Sequence, residues 1–363
     1  MAPQEHRFPC DTCGADMRFA PDHGELVCDH CGNEQEIGLD KFVANPIGEL
    51  DYLSALDADL PEQEIEEYRV LSCPNCGAQV EFDSVNHAAE CPFCATPVVT
   101  DTGLHRHIKP RGLLPFTLSE SDGRKVMSDW LGALWFAPNG LKDYSRKGRT
   151  MDGIYVPYWT YDADTKSQYR GSRGKVYYET RTVRRNGKTQ TQRVQKVRWR
   201  SKSGRVARWF DDVLVLGSRS LPKKFTDALE PWDLAALEPY QPEYLAGFRA
   251  EGYTVQINEG YQEARTHMDR VIRRDVKFDI GGDRQKISDV QTVVNDVTFK
   301  HVLLPVWLAA YKYRGKSYRF VVNGRSGRVQ GERPWSIVKI FFAVLVVAII
   351  AGVIGYFLAT QQQ

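Results

Sequence analysis

The cysteines of this 363-residue chain constrain its fold more than any other feature of the sequence. All eight lie in two segments, CDTCGADMRFAPDHGELVCDHC from residue 10 and CPNCGAQVEFDSVNHAAECPFC from residue 73. Each segment contains two Cys-x-x-Cys pairs that are separated by fourteen residues. The first twenty residues contain no apolar run, so we expect no export signal. Paired cysteines in a chain without an export signal indicate metal ligands and not disulfides.

Each Cys-x-x-Cys pair can form a tight turn that presents two thiolates to one cation. Two such turns joined by a short hairpin supply four sulfurs in a tetrahedron, which suits zinc and leaves no open position for catalysis. We therefore predict one structural zinc ion per segment, although a rubredoxin-like iron site would use the same ligands. His30 lies between two ligands, and we interpret it as a surface residue. The predicted ligands are Cys10, Cys13, Cys28, Cys31, Cys73, Cys76, Cys91 and Cys94.

The two cysteine segments are an internal duplication. Superposing their cysteines also matches Gly14 with Gly77 and Phe19 with Phe82. Glycine directly after the second cysteine of a pair permits a positive φ, which a tight turn requires. The alternating residues around each matched phenylalanine are typical of short strands, so each segment is predicted to be a zinc ribbon.

The rest of the chain predicts a larger α+β domain with aromatic antiparallel strands. Residues 123–137 are typical of an amphipathic helix, and 153–161 are typical of an aromatic strand. Residues 259–273 predict a second helix, and two strands are predicted to follow it within 274–300.

The motif PYW at 157–159 returns as PVW at 305–307, which indicates two related halves of this domain. The predicted organisation is a zinc ribbon at 1–39, an acidic helical linker at 40–70, a second zinc ribbon at 71–100, a cytoplasmic α+β domain at 101–334 with a basic hairpin at 166–208, and a transmembrane helix at 335–360.

The basic hairpin is predicted from Asn186-Gly187, a two-residue turn signal between alternating residues. Residues 166–208 contain 15 Lys or Arg and one acidic residue, Glu179. The strands are polar on both faces, so we expect a projecting arm without a core face. An anionic lipid surface, a nucleic acid or the acidic N-terminal part of the chain would each suit this charge. The interleaved aromatic residues are Tyr177, Tyr178, Trp199 and Trp209.

The net charge of +2 conceals a strong asymmetry along the chain. Residues 1–100 contain 20 Asp or Glu and 4 Lys or Arg, a balance of −16, whereas residues 101–363 have a balance of +18. The cysteine segments lie in the acidic part, where a phosphate backbone would be repelled. If nucleic acid binds, we therefore expect the basic hairpin to bind it.

The segment from Ile337 to Leu358 predicts a transmembrane helix, since only Lys339 in it is charged. Its 22 residues span ~33 Å as a helix, which is enough for a bilayer core. Basic residues precede the span and no charged residue follows it, so residues 1–334 are expected in the cytoplasm. This pattern predicts a single-pass, tail-anchored protein of the cytoplasmic (inner) membrane.

No pattern of a known catalytic site stands out in the sequence. The chain lacks a phosphate-binding loop, a His-Glu-x-x-His motif and a Gly-x-Ser-x-Gly motif. His105 and His107 share one face of a predicted strand, but no third ligand accompanies them. His267 and His301 are isolated, and Asp211–Asp212 is interpreted as the start of an apolar strand. We therefore expect a protein that is not an enzyme.

Four stretches of the chain carry a family resemblance: the CPNCG and CPFC turns within 73–94, VPYWTY at 156–161, PYQPEYLAGF at 239–248, and the closing block at 303–340. The chain resembles the bacterial membrane-anchored zinc-ribbon proteins labelled "TFIIB-type zinc ribbon-containing" or "primosomal protein N′ (replication factor Y), superfamily II helicase". The helicase label implies no activity here, because the nucleotide-binding motifs are absent. The resemblance implies a scaffold at the membrane whose partners are flotillin-like (SPFH) or phage-shock-type membrane-stress proteins.

These observations lead to one hypothesis and two alternatives. We expect a non-enzymatic, tail-anchored adaptor whose paired zinc ribbons dock membrane protein partners. The first alternative is a nucleic-acid-binding protein that is tethered to the membrane. The second is an unrecognised enzyme in the α+β domain.

Overall fold

The computed structural model describes residues 8–38, 47–56, 60–61, 64–76, 78–81, 91, 93, 100–136, 151–185, 188–313, 316–332 and 335–360. These residues form a mixed α+β fold with one large, mainly antiparallel sheet, as the sequence predicts. The strands are β1 (Arg18–Ala20), β2 (Glu25–Val27), β3 (Glu34–Gln35), β4 (Leu50–Asp51), β5 (Ile65–Ser72), β6 (Gln79–Glu81), β7 (Thr100–Ile108), β8 (Gly112–Leu113), β9 (Asp152–Arg185), β10 (Lys188–Leu216), β11 (Glu238–Pro239), β12 (Arg249–Ala250), β13 (Arg284–Tyr313), β14 (Lys316–Asn323) and β15 (Val329–Gly331).

The helices include two long amphipathic ones and one apolar one at the C-terminal end. They are α1 (Tyr52–Leu56), α2 (Glu120–Ala133), α3 (Lys223–Thr226), α4 (Ile257–Ile280) and α5 (Ile337–Thr360), with 3₁₀ turns at Asp227–Leu229, Leu234–Ala236 and Pro242–Leu245.

The large sheet has the strand order β10-β9-β13-β14-β15, and four short strands extend it at the sides. Two small three-stranded sheets, β1-β2-β3 and β6-β5-β7, belong to the two cysteine segments. The central strands β9 and β13 are 34 and 30 residues long, far beyond the usual strand length of about 5–6 residues. The sheet is therefore an elongated body with two distinct ends.

The two halves that the repeated proline motif predicts meet at the centre of this sheet. Pro157 of β9 and Pro305 of β13 lie on adjacent antiparallel strands, one residue either side of the Val156–Leu304 pair. Gly217 donates its N–H to the Pro157 carbonyl at 2.8 Å, and Gly324 donates to the Pro305 carbonyl at 2.9 Å. β8 pairs parallel to β13 as β12 pairs parallel to β9. The halves are thus related by a pseudo-twofold arrangement.

Alternation along the central strands gives the sheet two apolar faces. We call the face that carries Tyr155 and Trp307 the front face, and the face that carries Val156 and Leu304 the back face. The first cysteine segment and α2 pack on the front face. The second cysteine segment and the chain around α3 pack on the back face. Both faces of the sheet are therefore buried at the end that contains Tyr155 and Trp307.

Helix α4 extends the front-face layer along the sheet. Its buried residues recur every fourth position, at Gly260, Ala264, Met268, Ile272, Val276 and Ile280. The predicted helix at 259–273 is too short, and the two strands predicted within 274–300 are wrong. The apolar stripe continues to Ile280, and Gly281, with φ at 65°, ends the helix. The single long strand β13 follows.

Helix α2 begins earlier than the predicted span of 123–137 and ends at Ala133. Ser119 caps it by accepting a hydrogen bond from the Asp122 N–H at 3.3 Å. The predicted end at residue 137 lies outside the described residues.

The chain between the cysteine segments differs from the predicted helical linker at 40–70. Residues 50–51 pair with β13 as strand β4, and among the described residues of this linker the α-helical part is Tyr52–Leu56. Strand β5 already begins at Ile65 and pairs with β7, which ends at Ile108. The second cysteine segment therefore belongs to a unit that exceeds the predicted limits of 71–100, because strands from both sides of it pair with each other.

The basic hairpin is formed by β9 and β10, which stay paired out to Arg185 and Lys188. The turn residues 186–187 lie outside the described residues. The expectation that both faces are polar is wrong for the half nearer the body. There Tyr169 is buried beneath α4, and Val206 packs against the same apolar cluster. β13 adds a third strand as far as Gly174, so the two-stranded part is only the outer half.

The apolar helix α5 starts beside the end of α2, where the Ser336 N–H donates to the Phe136 carbonyl at 2.8 Å. Residues Ile337–Gly355 have a mean hydropathy of 3.0 and are not buried against the body. This is one helix that is long and apolar enough to cross a membrane. Because α2 runs toward the turn between β13 and β14, α5 leaves the sheet at the end opposite to the tip of the basic hairpin.

Candidate metal centres

The first cysteine segment brings four sulfurs together. The Sγ atoms of Cys10, Cys13, Cys28 and Cys31 all lie within 4.8 Å of one another. Two of the sulfur pairs, Cys10–Cys31 and Cys13–Cys28, are 3.5 Å apart. A disulfide would require ~2.05 Å, whereas a tetrahedron with ~2.3 Å metal–sulfur bonds has edges of ~3.8 Å. The spacing therefore fits one bound cation and not a pair of disulfides.

The backbone shapes each cysteine turn in the same way. The Cys10 N–H donates to the Ala15 carbonyl at 2.8 Å, and the Cys28 N–H donates to the Asn33 carbonyl at 2.9 Å. Gly14 follows the first turn with φ at 75°, as the sequence requires of a residue without a side chain. The two turns face each other because β1 and β2 form the hairpin between them.

Backbone hydrogen bonds favour the thiolate form of the two buried cysteines. Burial alone would raise the pKa of the Cys10 thiol, but the N–H groups of Cys13 and Thr12 lower it to about 6. The Cys31 N–H similarly lowers the pKa of Cys28. Since the thiolate is the form that binds metal, these hydrogen bonds prepare Cys10 and Cys28 for a cation.

The second segment repeats this arrangement on the other side of the sheet. The Sγ atoms of Cys73, Cys76 and Cys91 lie within 4.8 Å of one another, with Cys76 and Cys91 separated by 3.6 Å. The Cys73 N–H donates to the Ala78 carbonyl at 2.9 Å, as in the first segment. The fourth predicted ligand, Cys94, lies outside the described residues. Both clusters could hold metal ions, and their donor sets fit a thiolate-binding metal.

Each cluster is part of the protein core and not a separate appendage. Cys10, Cys28 and Phe19 pack with the front-face residues, and the Phe19 ring meets Tyr244 edge-on at 5.2 Å. Cys73, Cys91 and Phe93 pack with the back-face residues in the same manner. The sheet therefore lies between two cysteine clusters, which the cysteine spacing alone does not indicate. Cys13 and Cys31 remain exposed, as does His30.

A buried carboxyl group lies near the second centre and escaped the sequence analysis. Glu251 is 2% exposed and accepts a hydrogen bond from the Ser218 hydroxyl at 2.6 Å. Burial raises the pKa of Glu251 to about 8, so it carries its proton at neutral pH. The adjacent Gly252 N–H donates to the Gln79 carbonyl of β6 at 2.9 Å. This hydrogen bond links the chain after β12 to the second cysteine segment. No sequence pattern marks Glu251, because its neighbours come from three distant segments.

A second buried polar cluster surrounds Lys300 on the back face. Its Nζ lies 2.8 Å from Asp212 Oδ1, 3.3 Å from Glu49 Oε1 and 3.5 Å from Asp162 Oδ2. Asp162 is fully buried, and burial raises its pKa to about 7. Burial lowers and the carboxylates raise the pKa of Lys300, and the net shift is upward. The ammonium group therefore stays charged and holds the three acids together.

Two bulges create the space for this cluster. β10 bulges at 211–212 and β13 at 296–297, on either side of Asp162 in β9. Asp212 has φ at 51° and donates its N–H to Asp162, while Asp296 has φ at 49°. The interpretation of Asp211–Asp212 as the start of a strand is therefore wrong, because both residues lie within β10.

The predicted histidines lie apart from the cysteine clusters. His301 is buried, and its Nδ1 lies 2.7 Å from the Ile108 carbonyl oxygen. Burial lowers the pKa of His301 to about 4, so the ring is neutral. His107 is also buried, with its ring centroid 4.5 Å from that of Tyr253. The contacts of His301 with Ile108 and of His107 with Tyr253 join β7 to the large sheet.

The other histidines add no further ligand set. The side chain of His105 lies outside the described residues, and His267 on α4 lies 3.9 Å from a Glu263 oxygen. In the part of the chain that the structure describes, the cysteine clusters alone bring three or more His, Cys, Asp or Glu ligand atoms within 4.8 Å.

Comparisons with known proteins place the chain beside one relative of similar length. It is 26% identical over 332 residues to "Uncharacterized protein YdjG" of Bacillus subtilis (strain 168), and the match spans 91% of this chain and 90% of that protein. No family model matches the chain, and no solved structure matches it. The likeness to YdjG therefore covers most of the length of both chains.

Proposed function

We propose that this chain is a membrane-anchored adaptor, without enzymatic activity, in which two structural zinc sites hold a docking surface for protein partners. One observation carries the proposal. Two cysteine clusters are packed on opposite faces of one sheet, near the end from which the exposed apolar helix leaves. A partner that docks on these centres would be held close to the bilayer.

Zinc is the metal that this donor set favours. Four thiolates satisfy its tetrahedral preference, and a cation closed by four protein ligands has no position for a substrate. Iron in a rubredoxin-like site would bind the same sulfurs and is the competing assignment. Because Cys10 and Cys28 are also core residues, the metal would act by fastening the N-terminal chain to the sheet.

The apolar helix supports a single-pass anchor in the cytoplasmic membrane. Its apolar stretch Ile337–Gly355 is unburied, and such a surface is stable only in lipid or against a partner. Arg325, Arg328 and Lys339 lie at or before its start. Positive charge on this side favours a cytoplasmic location for the body.

The outward half of the first centre is the candidate docking surface. Cys13 and Cys31 are exposed there, next to an ion pair in which Arg18 Nε lies 2.9 Å from Asp29 Oδ1. The surrounding segment is acidic, so a basic partner surface would complement it. The resemblance noted above suggests flotillin-like or phage-shock-type membrane proteins as the partners.

The alternative, a membrane-tethered nucleic-acid-binding protein, would use a different part of the molecule. The basic hairpin favours it, because 15 of the 48 Lys and Arg residues lie within 166–208. The acidic cysteine segments oppose nucleic acid at the metal centres.

The test combines membrane extraction, metal analysis and partner capture on the full chain. We expect the tagged protein to stay in the membrane pellet after alkaline carbonate washing and to contain two zinc ions. Crosslinked partners should be captured by the wild type and lost in Asp29→Lys. The matched control is Asp269→Lys, which reverses another exposed, ion-paired aspartate on α4.

Three outcomes would contradict the proposal. Release of the protein from the membrane by carbonate would contradict the membrane anchor. Iron in place of zinc would overturn the metal assignment. Equal capture by the Asp29→Lys and Asp269→Lys variants would show that the first centre does not dock the partner.

A further inference from the structure

The basic hairpin has one covered face and one open face near the body. On the front side, α4 buries Tyr169 and its neighbours. On the back side, the side chains of β9, β10 and β13 between Asp164 and Gly174 have no covering layer in the described ranges. Trp209 is 57% exposed there and Val293 is 61% exposed. A three-stranded sheet that is backed by a helix thus presents a bare surface, which we call the open face.

The open face is basic. Register places five cations on it, because each is a back-face residue of β9 or pairs directly with one: Lys166, Arg170, Arg205, Arg284 and Lys286. Its acidic members are Asp164 and Asp289, and the Asp164 carboxylate is paired with Lys166 at 3.2 Å. The five cations and two carboxylates give the open face a net charge of +3. Small side chains, such as those of Ser203 and Ala207, lie beside these cations on β10.

Aromatic rings lie along the same face. The indole of Trp199 lies across Gly174, where an added Cβ would come within 2.9 Å of the ring. Lys286 Nζ lies 4.4 Å from the centroid of that ring. Farther out, the Arg193 guanidinium lies 4.2 Å from the Tyr178 ring, which is 53% exposed. Glycine at 174 thus lets a flat ring rest on the sheet beside a cation.

The aromatic residues mark a linear track. Trp209 and Trp199 are ten residues apart on β10, which corresponds to ~33 Å, and Arg205 lies between them. Tyr178 pairs with Gln195, about 13 Å farther along the strand. Cations and ring faces that alternate along a line of ~46 Å match an extended polyanion with planar groups. Single-stranded nucleic acid has this combination of a charged backbone and stacking bases.

The position of the open face disfavours a bilayer as its occupant. α5 leaves the sheet at the far end, and Gly174 lies 22 residues, or ~73 Å, along β9 from Asp152. Between the two, the back face is covered by the second cysteine segment and the chain around α3. A flat membrane would meet that layer first, whereas a flexible strand could follow the uncovered surface beyond it.

We propose that the open face binds single-stranded nucleic acid, with Lys and Arg on the phosphates and the bases stacked on Trp199, Trp209 and Tyr178. This inference goes beyond the adaptor function, because it uses a surface separate from the metal centres. The bound strand would lie on the cytoplasmic side of an anchored protein, away from the lipid headgroups.

The test uses the full chain in nanodiscs of neutral lipid and a fluorescent 20-nucleotide single strand, as DNA and as RNA. Anisotropy gives the affinity at several salt concentrations. Arg205→Glu should weaken binding at least ~10-fold and lower the slope of log affinity against log salt by about one or more. Lys202→Glu is the matched control, since Lys202 is exposed three residues away on the opposite face of β10.

A second pair of variants tests stacking. Trp209→Ala should weaken binding by ~5-fold or more, as expected for one lost base–aromatic contact. Phe278→Ala should leave the affinity unchanged, because Phe278 is 91% exposed on α4, away from the open face. Both residues are exposed, so neither substitution removes a buried contact.

Three results would overturn the inference. One is no binding of either strand at 0.1 M salt. Another is equal weakening by Arg205→Glu and Lys202→Glu. The third is binding of anionic vesicles, but not of nucleic acid, that Arg205→Glu abolishes, which would assign the face to lipid. None of these results would affect the metal content or the partner capture that test the adaptor function.

Discussion

At the scale of single residues, the buried ionisable groups lie where the sheet departs from regular pairing. Asp162 and Lys300 occupy back-face positions between two bulges, and neither could be buried there without the other. The carboxylate loses most of its hydration, while the ammonium group compensates for that loss. Through the ion pair between Lys300 and Glu49, this polar cluster also fixes the chain between the cysteine segments to the sheet.

Replacing Lys300, the cation of this polar cluster, should destabilise the protein strongly. Lys300→Met leaves Asp162 buried beside two other carboxylates, so we expect a loss of about 3–5 kcal/mol in the free energy of unfolding. Urea unfolding of the detergent-solubilised chain, followed by tryptophan fluorescence, measures this loss. The double variant Lys300→Met/Asp162→Asn should recover part of it. Wild-type stability in Lys300→Met would contradict a supporting role for the ion pairs.

The buried histidine at 301 should make the protein sensitive to acid. Burial holds the pKa of His301 at about 4, below its ordinary value of about 6.5, so the fold favours the neutral ring. The stabilisation is complete above about pH 6.5 and is lost as the pH falls toward 4, at up to about 1.4 kcal/mol per pH unit.

His301→Gln should reduce this dependence, measured as unfolding midpoints between pH 7 and 4. His23→Gln, at an exposed position, is the control and should behave as the wild type. A pH dependence that is the same in His301→Gln and the wild type would rule out His301 as the source.

At the scale of elements, close packing decides how the helices and strands meet. α4 lies on β9 with a glycine at the closest point, because Gly260 faces the rings of Tyr161 and Trp159. The Tyr161 hydroxyl donates to the Ile257 carbonyl at 2.7 Å, which fixes the first turn of the helix. This contact sets the position of the layer that covers the inner half of the basic hairpin.

Two glycine substitutions should therefore have opposite effects. A Cβ at Gly260 would lie 2.5 Å from the Tyr161 hydroxyl, so Gly260→Ala should destabilise the protein by about 1–3 kcal/mol. Gly132 lies in α2 with no atom within 4 Å of an added Cβ, so Gly132→Ala should stabilise it by up to about 1 kcal/mol. Thermal unfolding of both variants checks the signs. A stabilising Gly260→Ala would contradict the tight contact.

At the scale of the whole molecule, the sheet is an elongated body with different surfaces at its two ends. The cysteine clusters and the apolar helix lie at one end, and the basic hairpin extends from the other. The 34 residues of β9 correspond to ~110 Å, so the two ends can meet different partners at once.

Metal loss should act on each face separately. Cys10→Ser and Cys73→Ser should each retain one zinc ion per chain, and each should expose its own segment to protease while the other stays protected. Zinc analysis and limited proteolysis with mass spectrometry measure both effects. Chelation of the wild type should expose both segments. Loss of both ions in a single-site variant would contradict independent centres.

The features that the sequence by itself determined are those whose partners are close along the chain. Cysteine spacing brings Cys10, Cys13, Cys28 and Cys31 together, a turn signal at 186–187 joins the hairpin strands, and an unbroken apolar run makes α5. Each depends on contacts within about twenty residues, so the local pattern contains the necessary information.

Only the tertiary structure decided which surfaces these elements cover. The centres lie on opposite faces because Tyr155 and Val156 point to opposite sides of one strand, which no spacing of cysteines encodes. The hairpin gained a covered face because α4 continued to Ile280 and packed on Tyr169, more than 100 residues away in sequence. Such contacts depend on long-range packing, in which burial of apolar area outweighs local preference. The open basic face is the surface that this packing leaves uncovered.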